Sequence, residues 1–133
     1  MKKIPTEKIS KDSYVVYLEK ASEFDKLMKY AEGRELWNGV GLNAVHCAIS
    51  ACDSLTAFYL GERSKSQRHE DILILIKQIP IKNIDDRMKQ LAAVLAMKNL
   101  VEYEAREFHK EDAVKIAIQA ERFYLWVKDH LPQ

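Results

Sequence analysis

What most constrains this chain is how few residues in it can break a helix or make a turn. Across 133 residues there are four glycines and three prolines, at positions 5, 33, 39, 41, 61, 80 and 132. Together they make up about 5% of the chain, where roughly 12% is usual. A sandwich or barrel of many short strands needs a turn former at every corner, so those architectures are excluded. The segments between the breakers are long enough to test for a helical repeat.

Each segment passes the test. Tyr14, Tyr17, Ala21, Phe24, Met28 and Ala31 recur at alternating steps of three and four, which predicts a first helix over Asp12 to Glu32, capped by Ser13 and stopped at Gly33. The second segment, Gly41 to Leu60, is apolar or small on nearly every side and opens at or just before Asn43. A helix with that pattern sits at the centre of a bundle, and Gly61 closes it. A short third helix spans Glu70 to Gln78 and stops before Pro80. Its run Ile72 to Ile76 would also suit a strand, but a lone strand has no partner elsewhere in the sequence. Ile84, Met88, Leu91 and Leu95 form the stripe of a fourth helix that begins near Asn83 or Asp85 and reaches about Ala105. A fifth helix carries Ala113, Ile116, Ala117, Ala120, Phe123, Tyr124 and Val127 and ends at Pro132. The expected fold is all-α: an up-and-down bundle of four long helices and one short one.

Composition sets the outer limits. With 47% hydrophobic and 31% charged residues, the chain reads as one helical domain over residues 12–131 behind a basic N-terminal tail, residues 1–11, without repeats. Lys and Arg number 21 against 20 Asp and Glu, a formal net charge of +1, so any basic site must be local. The longest apolar run is Ile72 to Ile76, and no apolar stretch follows the basic start MKKIPTEKIS. Neither a membrane span nor a secretory signal is expected, which places the chain in the cytoplasm. Cys47 and Cys52 fall on different faces of the second helix and read as reduced core thiols.

Two groups of residues stand out against this background. Asn43, His46, Ser50 and Asp53 share one face of the apolar second helix, either as buried, hydrogen-bonded structural groups or as the wall of a cleft. On the fourth helix the apolar stripe runs on in register into Lys98 and Glu102, with Asn99 and Tyr103 on adjacent faces. A buried cation needs an acceptor, so Asp53 or His46 is expected near Lys98. The loop after the second helix, with Arg63, Lys65, Arg68 and His69, has the charge to hold a phosphate, although such loops are more often simply solvated. None of the four histidines follows a glutamate at the spacing used by di-metal bundles, and His46, Cys47, Cys52 and His69 lack zinc-site spacing. No metal or other cofactor is expected.

In order, these features are a long first helix, NAVHCAISACDSLTAFYLGERSKSQRH, a short helix, and MKNLVEYEAREFHKEDAVKIAIQAERFYLWV. In that order they resemble a HEPN domain over roughly Tyr14 to Val127. The resemblance implies a helical bundle that dimerises and acts either as a metal-independent ribonuclease or as the partner of a minimal nucleotidyltransferase in toxin-antitoxin or phage-defence systems. The family's ribonuclease motif places an arginine, then a polar residue, with a histidine a few residues on. Here Lys98 stands in the arginine position, Asn99 keeps the polar one, and Tyr103 stands where histidine would be. Arg63 and His69 show a matching spacing in the loop, which reads as coincidence; Arg106 and His109 lie too close together.

Lysine is a point charge where arginine is a bidentate fork, and tyrosine titrates near 10, so the motif is degenerate. The expected role is that of a binding or regulatory partner for RNA, a nucleotide or a nucleotidyltransferase-like protein. Phosphate would fall to Lys98, Arg63, Lys65 and Arg68, with Asp53 and Glu102 in support. The enzymatic alternative is an endoribonuclease working across a dimer cleft with Lys98, Asn99 and Tyr103, and His46 moving the proton. The third is a structural helical adaptor. A homodimer is expected from a second apolar edge on the first helix, formed by Val15, Val16, Leu18 and Leu27.

Overall fold

The structure is a computed structural model that describes residues 3–66, 68–104 and 108–132. Its helices follow the stripes in the sequence. Helix α1, Tyr14–Gly33, turns Ala21, Asp25, Met28 and Ala31 inward. The chain enters it through a 3-10 turn at Lys11–Ser13, where the Ser10 hydroxyl accepts from the Asp12 N–H at 3.3 Å. Ser13, the expected cap, makes no side-chain capping bond; its hydroxyl donates to the Ser10 carbonyl instead. Helix α2, Trp37–Leu60, starts earlier than expected and runs straight through Gly39 and Gly41. Gly41 serves close packing: a Cβ there would lie 2.8 Å from the Phe108 ring and 2.9 Å from a Val101 methyl. Gly61 does end the helix, at φ 66° in the left-handed region, with its N–H donating to the Ala57 carbonyl.

The basic N-terminal segment is tied into the fold. Strand β1, Thr6–Lys8, pairs antiparallel with strand β2, Glu62–Ser64, in the register Thr6 to Ser64, Glu7 to Arg63 and Lys8 to Glu62. The ladder is extended by Ile9 N–H to the Gly61 carbonyl at 3.0 Å and Lys65 N–H to the Pro5 carbonyl at 2.9 Å. The expected basic loop is therefore strand in its first half. Elements of three residues are too short for alternation to reveal them.

Helix α3, His69–Lys77, confirms the helical reading of the Ile72 to Ile76 run and buries Leu75 and Ile76. Helix α4, Ile84–Ala96, is shorter than expected. It stops at Met97, and a separate helix α5, Lys98–Glu102, follows. An unbroken helix would carry Lys98 into the seam behind Leu91 and Leu95; with the break, Leu100 is buried and Lys98 stays half-buried. The expected end near Ala105, and Arg106, lie outside the described residues. Helix α6, Lys110–Asp129, opens with the His109 N–H donating to the Asp112 carboxylate at 3.1 Å.

The result is an all-α bundle with a two-stranded ribbon at one edge. Helix α2 lies at its centre, packed against α1 and α6, while α4 packs on α6 and α3. Met28, Val45, Leu55, Leu91, Leu95 and Phe123 fill the core. At the surface, Lys29 joins α1 to α6, with its ammonium 3.1 Å from Asp25 and 2.9 Å from Glu121. Among the described residues, no helix is long and apolar enough to cross a membrane.

Gly41→Ala is expected to lower stability by about 1 to 3 kcal/mol through overpacking against Phe108 and Val101. Gly33→Ala, with nothing within 4 Å of the new methyl, should be neutral or stabilising by up to about 1 kcal/mol. Urea denaturation of the two variants checks the contrast.

Candidate anion-binding cleft

The site is built on a buried charge near the end of α2. Asp53 is 9% exposed. Its partner comes from β2, with Nη2 of Arg63 3.2 Å from the Asp53 carboxylate. The strand register sets Glu7 opposite Arg63, and its carboxylate lies 3.8 Å from Nη1. The guanidinium also sits 5.3 Å from the centre of the Tyr17 ring. Nε of Arg63 is buried and has no hydrogen-bond partner among the described residues. Burial pushes the Asp53 carboxyl up to about 6 from its usual 3.8, with Arg63 pulling the other way.

Above this pair opens a cavity of about 350 Å³, lined by Asp53, Arg63, Lys65, Ser66, His69 and Lys98 among others. A second cavity of about 290 Å³ is lined by Arg68, His69, Glu70, Lys98, Asn99 and Tyr103. His69 and Lys98 line both, so the two form one cleft between β2, α3 and α5. The turn entering α3 is fixed by Ser66, which donates to Asp71 at 2.7 Å and accepts from the Arg68 N–H at 3.0 Å. The charges in the cleft are unequally engaged. Arg63 is held by Asp53 and Glu7, and Nε of Arg68 lies 3.7 Å from Glu70. Lys65 and Lys98 have no ion-pair partner among the described residues and are the positive charge available to a ligand.

The expected cluster is only partly assembled. Asp53 and Lys98 do share a cavity, but the acceptor at Asp53 serves Arg63. His46 lies outside the cleft. Its ring stacks on Phe24 at 5.2 Å and its Nε2 is 3.7 Å from Glu102, and neither His46 nor Glu102 lines the two cavities. The polar face of α2 thus divides: Asn43 bonds back to the Gly39 carbonyl, His46 faces α5, and Asp53 faces β2. Tyr103 is 76% exposed at the rim, and hydrogen bonding to Glu102 raises its phenol above the usual 10, so it is no base near neutral pH. Asn99 is also exposed, and its carbonyl accepts from the Tyr103 and Glu104 N–H groups.

Sequence reasoning named His69 in the basic loop but set its spacing from Arg63 aside as coincidence, and it missed Glu7. The Arg63 to His69 spacing was the signal for His69, and the three-residue strand pairing that places Glu7 had none. Cys47 and Cys52 are buried and free, and burial raises both thiols, so neither is a nucleophile. Among the described residues, no three His, Cys, Asp or Glu side chains come together as a metal site. No protein-family model matches the chain, and no curated protein is found to be similar to it.

Since its carboxyl is raised, Asp53 holds its proton more tightly in the folded state than in the unfolded one. Its contribution to stability is complete below the unfolded value near 3.8 and is lost as pH rises through about 6. Relative to Asp53→Asn, the parent should therefore lose about 1 to 3 kcal/mol between pH 4 and pH 7 in urea denaturation. A carboxyl titration by NMR should place Asp53 near 6.

Proposed function

We propose that the chain is a HEPN-like, dimeric protein that binds single-stranded RNA through this cleft, with a site too degenerate for efficient cleavage. The observation that carries the proposal is the pair of adjoining cavities that share His69 and Lys98, with Lys65 and Lys98 free of ion pairs among the described residues. Ammonium groups without internal partners attract phosphate, and their contribution falls as salt rises. Tyr103 stands exposed at the rim beside Arg68 and Asn99. An exposed ring next to a cationic groove is how single-stranded nucleic acid is held, the base on the ring and the backbone in the groove. In this arrangement Tyr103 stacks and transfers no proton.

One observation favours the enzymatic reading in altered form. His69 lines the cleft beside Lys98, where its ring nitrogens can donate or accept a hydrogen bond. A metal-independent endoribonuclease here would use His69 and Lys98, in place of His46 and Tyr103.

Fluorescence anisotropy with a mixed-sequence single-stranded RNA tests the binding. Affinity should fall between 50 and 200 mM salt, and Lys98→Ala should flatten the log–log salt slope by about 0.7. Tyr103→Ala should weaken binding by about 1 to 3 kcal/mol while Tyr103→Phe leaves it unchanged. Glu7→Gln should tighten it, because the carboxylate competes with phosphate for Arg63. Absence of binding at 50 mM salt would refute the proposal. Efficient RNA cleavage by the parent, lost in both His69→Ala and Lys98→Ala, would make the enzyme the correct reading.

A further inference from the structure

Helix α6 presents an outward stripe that the bundle leaves uncovered. Its inner face, with Ala113, Ile116, Ala120, Phe123 and Val127, is buried against α2 and α4. On the other side, Glu111, Lys115, Ile118, Arg122, Leu125 and Asp129 recur at alternating steps of four and three, the spacing of a coiled-coil seam. Ile118 is 44% and Leu125 47% exposed. Lys115, Arg122 and Asp129 are exposed and make no ion pair among the described residues. Beside the stripe, Ala93 and Met97 of the α4 end floor a groove of about 610 Å³.

The order of these residues is self-complementary when reversed. Two copies of α6 laid antiparallel about a two-fold axis at Arg122 bring Ile118 of each within one residue, about 1.5 Å along the axis, of the level of Leu125 of the other. The same register sets Lys115 of each against Asp129 of the other. The two apolar contacts flank the centre, and the two opposite-charge contacts close the ends. Only the Arg122 pair at the axis is unfavourable. We infer that the α6 stripe is the surface on which a second copy of this chain docks, antiparallel and centred on Arg122.

This rests on the dimeric part of the proposed function and is independent of RNA binding. No α6 residue lines the cleft, so each copy keeps a complete cleft of its own. The seam is narrow, so the dimer is a weak one, detectable at protein concentrations on the order of 100 µM.

Sedimentation equilibrium of the full chain reads the outcome. Lys115→Glu and Asp129→Lys should each weaken the dimer roughly tenfold, since each change counts twice across a two-fold axis. The double exchange should restore it. Arg122→Leu should tighten the dimer by removing the like charges at the axis. Arg122→Cys should give a disulfide-linked dimer on mild oxidation, because Cys47 and Cys52 are buried and supply no competing thiol. Circular dichroism of these surface variants confirms that they fold. A strictly monomeric mass overturns the inference. So does a dimer that is indifferent to the charge exchanges and is lost instead in Val16→Glu, on the exposed edge of α1.

Discussion

Everything in this bundle is arranged around α2, a helix that must be buried on nearly every side. Gly41, Ala44, Cys47, Ala48 and Ala51 are small, so α1, α6 and the α5 region can approach its axis closely from different directions. The same closeness fixes positions that would otherwise tolerate change. At Gly41 the Phe108 ring and Val101 occupy the space of a β-carbon. Small residues contribute little apolar area each, so the cohesion comes from the larger side chains around them, such as Met28, Leu55, Leu95 and Phe123.

A helix so enclosed cannot carry a carboxylate cheaply, and Asp53 is where the cost falls. Burial raises its pKa, and the Arg63 guanidinium offsets part of the penalty. Arg63 reaches it only because β2 follows Gly61 directly and is held in place by β1. The ribbon is thus the support for the ion pair, and the ion pair fixes the floor of the cleft. What remains for a ligand lies above it: Lys65, Lys98 and His69, with Tyr103 and Arg68 at the rim.

Among the described residues, α1, α4 and α6 were legible because their apolar stripes repeat over several turns, α2 because it is apolar on nearly every side, and α3 because Pro80 stops it and a lone strand would lack a partner. Where the reading failed, one of two causes was at work. Gly39 and Gly41 read as breakers because a helix interior usually excludes glycine, yet close packing can require it there. The break at Met97 has no glycine or proline to announce it. Directly after it Lys98 is half-buried at the cleft, a tertiary setting that no local pattern records.

Of the site, the residue types were visible and the grouping was not. His46 and Asp53 share a face of α2, so the sequence placed them together. Seven residues of helix separate them by about 10 Å along the axis, enough for one to meet α5 and the other β2. Lys98 and the Arg63 to His69 segment lie far apart in the chain, and only the fold brings them to one cleft. The sequence by itself determined the helical class, the central place of α2 and the chemistry available, because periodicity and side-chain type are local properties. Which charges pair, which stay free and which cavity they line was decided by the tertiary structure, since those depend on distances between residues remote in sequence.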